Sequence, residues 1–252
     1  MRWIPGRGSM VEAPSAHGPL CIASSPQTPY SPPMTPLEKQ QKLDAIAEQI
    51  QTCRTCKRDK VGVAVPGEGN PDADIVFVGE APGKQEAETG RPFIGRAGKI
   101  LRDLIAGAGL DEKDVFITSP VKYLPKHVTP TPEEVAHGRT HLFAQLNVIE
   151  PKLIVLLGRV AAFAVLKQNI AVSEEHGKVI EKNGRHYFIA YHPAAMLHSP
   201  KTKELLEDDF RKLKELLKGG RGIIAPSLPN QRPMAKSQNA KKNVKKPKKN
   251  KK

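Results

Sequence analysis

Three short runs constrain this chain more than anything else in it: Asp74–Val78 (DIVFV), Asp114–Thr118 (DVFIT) and Leu153–Leu157 (LIVLL). Each is too short for a helix, rich in β-branched residues, and apolar at successive positions rather than at alternating ones. That is the pattern of a strand covered on both faces. Helical stretches separate them. Arg96–Ala108 follows the first run, and residues 132–149 follow the second behind a capping box formed by Thr131 and Glu134. Val160–Lys167 follows the third. Leu37–Thr52 precedes them all, with Leu37, Leu43, Ile46 and Ile50 read as one apolar side, and Thr202–Leu217 closes the series. Val179–Glu181 and His186–Ala190 flank Asn183–Gly184, an Asn-Gly hairpin signal. Strands that alternate with helices predict an α/β fold: a single three-layer domain with a central, mostly parallel four-stranded sheet flanked by helices.

Charge and proline mark the limits of that domain. The 252-residue chain carries 40 Lys+Arg against 26 Asp+Glu, a formal charge of +14. Nine lysines and no acid fall in residues 236–252, and residues 37–218 amount to only +2. Eight of the 23 prolines fall in residues 1–36, which also hold the only tryptophan, Trp3. Both ends read as disordered: a Pro-rich leader over 1–36 and a Lys-rich tail over 219–252, around a body at 37–218. Met34 offers a more convincing start than Met1, so residues 1–33 read either as a misplaced start or as a flexible leader. There is no run of about 18 apolar residues to cross a membrane and no apolar signal core at the N-terminus. Three cysteines cannot build a disulfide framework. A soluble protein in a reducing, cytoplasmic setting is expected, acting as a monomer on a polyanion.

In α/β sheets the ligand sits beyond the carboxyl ends of the strands. Here that place holds Gly79-Glu80-Ala81-Pro82-Gly83 and then Gly90-Arg91-Pro92-Phe93-Ile94-Gly95. Glycines allow close backbone approach, and the start of the next helix favours an anion. Neither G-x-x-x-x-G-K-[ST] nor G-x-G-x-x-G is present, so neither standard nucleotide loop is satisfied. A turn-rich connector fits the glycine content equally well.

The run GEAPGKQEAETGRPFIGRAGKIL, residues 79–101, closely resembles the first motif of the family 4 uracil-DNA glycosylases. The resemblance continues through FITSPVK (116–122), PKLIVLLGRVAA (151–162) and Tyr191-His192-Pro193, and it spans roughly residues 40–215. It implies the uracil-DNA glycosylase fold and a monofunctional enzyme that hydrolyses the N-glycosidic bond of uracil in DNA, leaving an abasic site. It also implies roles. Phe93 stacks on the extruded base, and His192 donates to the carbonyl oxygen that gains charge as the bond breaks. Glu80 holds or polarises water or stabilises the sugar cation, and the backbone around Gly79–Ala81 contacts the base. Ala194–Pro200 takes the place of the DNA wedge, with Met196 and Leu197 as candidates. Arg91, Arg96, Lys201 and Lys203 are candidate phosphate contacts. No lysine stands out as a Schiff-base nucleophile. The lysine tail adds sequence-independent phosphate affinity.

The chain departs from that family in three places. Ser119 stands where an Asn reads the uracil edge, and a hydroxyl is shorter than an amide. Glu86 is kept, but Ala87 stands where Asp is usual, with Glu88 beside it. The family's [4Fe–4S] cluster needs four cysteines, and only Cys53 and Cys56 are supplied. Tyr123 occupies the third place, the fourth falls near His137–Gly138, and Cys21 lies in the leader. Three assignments stay open: an unusual cluster with His137 as a ligand, a zinc site from Cys53, Cys56, His137 and His141, or no metal. Two alternatives to uracil excision follow from these departures. One is a glycosylase for another deaminated base such as hypoxanthine; the other is a catalytically weak protein that binds damaged DNA.

Overall fold

The computed structural model describes residues 33–127 and 129–219. The leader up to residue 32, with Trp3 and Cys21, and the tail from residue 220 lie outside the described residues. Helix α1 (Pro36–Thr52) starts one residue before the expected Leu37, because Thr35 closes a capping box. Its backbone N–H donates to the Glu38 carboxylate at 2.7 Å, and its hydroxyl accepts the Glu38 N–H at 3.3 Å. Pro36 sits at the first helical position, where its missing N–H costs nothing. Leu43, Ile46 and Ile50 are buried as expected, but Leu37 is 68% exposed. Six residues from Leu43, it lies off the stripe. The stripe begins instead at Lys39, whose buried ammonium donates to Ile149 O at 2.9 Å and to Asp72 at 2.6 Å.

The remaining elements are α2 (Arg54–Lys57), β1 (Lys60–Val61), β2 (Glu68–Gly69), β3 (Ile75–Val78), α3 (Lys84–Thr89), α4 (Arg96–Gly107), β4 (Val115–Thr118) and β5 (Leu124–Pro125). They continue with α5 (Pro132–Ile149), β6 (Leu153–Leu157), α6 (Gly158–Leu166), α7 (Val172–Glu175), β7 (Val179–Lys182), β8 (Arg185–Ala190), α8 (Pro193–Met196) and α9 (Pro200–Lys218). The main sheet has six strands in the order β2-β4-β3-β6-β8-β7. Its inner four, β4-β3-β6-β8, are parallel. The four-stranded expectation is corrected by two antiparallel edges, β2 on β4 and β7 on β8. Strand β2 has only two residues, one a glycine, and so carries no periodicity to read. The hairpin turns through Asn183 (φ 52°) and Gly184 (φ 71°), both left-handed as an Asn-Gly turn requires.

The apolar runs are buried on both sides because helices cover both faces. Val76, Val78, Phe116, Ile154, Leu156 and Ile189 face α1, α5 and α6 through Leu43, Ile50, Leu142, Leu146 and Ala162. The alternate residues Ile75, Phe77, Ile117, Val155 and Phe188 face α4 and α9 through Leu101, Ile105, Leu206, Phe210 and Leu213. Each such side chain contributes roughly 1.5–3 kcal/mol of burial. The result is three layers with the carboxyl ends of four parallel strands at one edge. No helix among the described residues is long and apolar enough to cross a membrane.

Candidate active site

That edge carries a cavity of about 650 Å³ whose lining includes Glu80, Ala81, Phe93, Ser119 and His192. Four of these residues come from three strand ends, and Phe93 comes from the loop between α3 and α4. Glu80 and Ala81 follow β3, Ser119 follows β4, and His192 follows β8. Parallel strands in register bring together positions more than a hundred residues apart in sequence.

Gly79 is present for space rather than for a donor. Its N–H is committed to Thr118 O at 2.8 Å. A Cβ on it would lie 2.4 Å from the Phe93 ring, so any side chain there displaces the ring. The Gly79 N–H is therefore not a free donor to a base, and the donors of the 79–81 backbone are those of Glu80 and Ala81. Among the described residues, the N–H groups of Glu80 and Ala81 have no acceptor and remain open at the cavity.

Phe93 is held in the left-handed region, at φ 52°, a conformation that bulky residues rarely adopt. Its neighbours impose it. Buried Glu86 accepts the N–H groups of Ile94 and Gly95 at 2.9 and 2.8 Å. Arg102 donates to the carbonyls of Pro92 and Phe93, both at 3.3 Å. The ring is thus presented by a clamped loop, 5.9 Å from the His192 ring. Arg91 in the same loop is tied to Glu68 at 2.9 Å and is less free for phosphate than its sequence position suggests.

His192 caps α8, and its Nδ1 accepts the Ala194 N–H at 3.1 Å. Nδ1 therefore carries no proton, and in the neutral ring the proton is on Nε2. Burial pushes its pKa down to about 4, so the neutral form is the one present at physiological pH. The strand end behind it is pinned. Tyr191 N–H donates to fully buried Asp209 at 3.1 Å, and Asp209 is held by His176 Nδ1 at 2.6 Å. Sequence reading missed this Asp209–His176 pair, since neither residue belongs to a local motif.

Burial raises the Glu80 carboxyl above its ordinary value, and Arg159 at the start of α6 partly opposes the shift. No hydrogen-bond donor among the described residues holds this carboxylate. Ser119 is buried and donates its hydroxyl proton to Val121 O at 2.7 Å, so toward the cavity it offers lone pairs only. Ala87 is buried, with its carbonyl accepting the Val63 N–H at 2.8 Å, whereas Glu88 is exposed at the cavity mouth. Of the two wedge candidates, Met196 is half-buried against the core, while Leu197 is 37% exposed.

A second cluster lies away from the cavity. Cys53, Cys56, His137 and His141 each offer a ligand atom, all within 4.8 Å of one another. The family's four-iron cluster does not fit it. Tyr123, in the third cysteine's place, is buried with its hydroxyl donating to Gln51 O at 3.3 Å. A Cβ at Gly138 would fall 2.0 Å from Pro120 O, so of the pair His137–Gly138 only His137 can project a ligand. Burial, more than the neighbouring Lys122 and His137, lowers the His141 pKa and favours the neutral imidazole.

A family model described as the uracil DNA glycosylase superfamily matches residues 66–217. The type-4 uracil-DNA glycosylase of Archaeoglobus fulgidus is 42% identical over 186 residues, covering 70% of this chain and 94% of its own. That of Saccharolobus solfataricus is 41% identical, with 69% and 86% covered. That of Thermotoga maritima is 36% identical, with 71% and 97% covered.

Proposed function

We propose that this chain, which belongs to the uracil-DNA glycosylase superfamily and within it to the type-4 enzymes, hydrolyses the N-glycosidic bond of uracil in DNA and leaves an abasic site. The observation that carries the proposal is the His192 tautomer: a neutral ring whose Nδ1 is occupied and whose Nε2–H faces the cavity beside an aromatic ring. A flipped uracil stacked on Phe93 would direct its carbonyl oxygen at that N–H. As the bond between N1 and C1′ breaks, its electron pair passes into the base, and the oxygen gains the charge that His192 stabilises. Water adds to C1′, and Glu80 orients it and takes its proton. The open N–H groups of Glu80 and Ala81 supply further donors to the base.

Ser119 reads the edge of the base by accepting. Its hydroxyl proton is spent on Val121 O, so its lone pairs suit the N3–H of uracil. They oppose the N3 lone pair of cytosine, so the shorter side chain still distinguishes the two bases. Leu197 is the wedge residue, and Arg96 and Lys201, both exposed, contact phosphate. The enzyme works as a monomer, in the cytoplasm with DNA, and the lysine tail beyond the described residues adds phosphate affinity.

A panel of oligonucleotides, each carrying one uracil, hypoxanthine or undamaged cytosine, tests this. Excision of uracil with release of the free base, abolished nearly completely in His192→Ala, is the expected result. Excision of hypoxanthine without uracil would overturn the substrate assignment. Tight binding with no base released would overturn the catalytic one.

A further inference from the structure

We infer that Cys53, Cys56, His137 and His141 hold a single zinc ion in a closed site that replaces the iron–sulfur cluster of the family. The ligand atoms are already grouped for one ion. Zinc–sulfur bonds of about 2.3 Å and zinc–nitrogen bonds of about 2.0–2.1 Å put tetrahedral ligands roughly 3.3–3.8 Å apart. The Cys53 Sγ to His137 Nε2 distance is 3.2 Å, and all four atoms fall within 4.8 Å. Small side-chain movements complete the tetrahedron.

The local backbone is shaped for the task. Cys53 caps α2, and its sulfur accepts the Cys56 N–H at 3.4 Å, so both sulfurs of the C-x-x-C turn converge. His137 and His141 lie one turn apart on α5 and share a face. An independent observation points to a ligand. His141 Nε2 is the buried side-chain polar atom without a hydrogen-bond partner among the described residues. Leaving such an atom unpaired costs about 1–3 kcal/mol, and a metal ion removes that cost.

Iron–sulfur alternatives fail on the same geometry. A four-iron cluster needs one ligand per iron at the corners of a cube, and only two thiolates are present. A two-iron cluster with mixed ligands places its sulfurs on one iron and its imidazoles on the other. The 3.2 Å contact between Cys53 and His137 places a sulfur and a nitrogen on the same ion. Four protein ligands leave no open coordination position, and none of the four lines the cavity, so the zinc is structural. It ties the turn at 53–56 to α5, whose Gly138 presses on Pro120 directly beside Ser119. The inference does not depend on which base the enzyme removes.

Metal analysis of the full chain, purified without oxygen, is the test. About one zinc per chain, no iron and no visible absorption are expected. Replacement by cobalt should give the intense visible bands of a tetrahedral thiolate–imidazole site. His141→Ala should lose the zinc, and His141→Cys, which restores a fourth ligand, should keep it with a changed cobalt spectrum. Two or four irons per chain, or no metal at all, would overturn the inference. So would a His141→Ala protein that retains zinc and the unchanged cobalt spectrum.

Discussion

The cavity at the sheet edge and the Cys/His corner between α2 and α5 both gather polar side chains, and they differ in what is left unpaired. In the cavity, His192, Ser119 and the Phe93 loop have their far sides fixed by the protein and their near sides open. His192 Nδ1 takes a backbone N–H, Ser119 gives its proton to a backbone carbonyl, and the Phe93 loop is clamped by Glu86 and Arg102. What remains open faces a space that a base can enter and leave. In the corner, the ligand atoms face one another, and a buried imidazole nitrogen has no partner. An open site prepared on its far side suits a transient guest. A closed site with an orphaned atom is incomplete without a permanent one. Substitutions in the cavity should therefore cost rate far more than stability, and loss of the corner's ion should do the reverse.

His192→Ala should show the largest effect on rate. Removing one donor to a developing oxyanion lowers kcat about 10²–10³-fold, with zinc content unchanged and stability at pH 8 lowered by no more than the lost cap on α8, about 1 kcal/mol. A larger fall in stability would break the contrast between the two regions. The same substitution has a pH signature. The folded state holds His192 at about 4 against an ordinary value of 6.5, so the unfolded chain binds the extra proton first as pH falls. Its stabilising contribution is complete above 6.5 and is lost as pH drops through 4. Denaturation curves of His192→Ala should show a shallower acid dependence across that window.

Gly79→Val probes the same region by shape. The added Cβ lies 2.4 Å from the Phe93 ring, so the stacking ring must move. A displaced substrate platform should lower kcat/KM by about tenfold to a hundredfold, again without loss of zinc. An unchanged kcat/KM would show that Phe93 is not the stacking surface.

How far these regions could be read in the sequence follows the same division. The buried strands are legible because both faces are apolar, and α5 because Thr131 and Glu134 spell its cap. Glu80, Phe93 and His192 are legible as parts of motifs, and the structure brings all three to one cavity. Buried polar groups are not legible, since their partners are distant in sequence. Lys122 looks like a surface lysine, yet it is fully buried and donates to Pro66 O, Thr118 Oγ1 and Gln145 Oε1 at 2.7–2.9 Å. Lys39 and Asp209 escape for the same reason. The pairing of Cys53 with His137, 84 residues away, was legible as ligand chemistry but not as geometry.

Arg159→Ala should have the smallest effect, and it tests whether Glu80 is the base. Burial raises the Glu80 pKa, and the Arg159 charge pulls it back. Removing that charge should raise the carboxyl further. If the ionised form orients and deprotonates the water, the acid limb of the kcat profile must move to higher pH. Arg159 is exposed, so the interaction is screened and the expected displacement is small. It should shrink as salt is added, and Arg159→Lys should restore the limb. The plateau at high pH, where Glu80 is ionised in either protein, should be unchanged. Reading kcat rather than kcat/KM separates this from any loss of phosphate contact, which would appear in KM. An acid limb that does not move, or that moves to lower pH, would take the base role away from Glu80 and leave it as a buried charge facing the sugar.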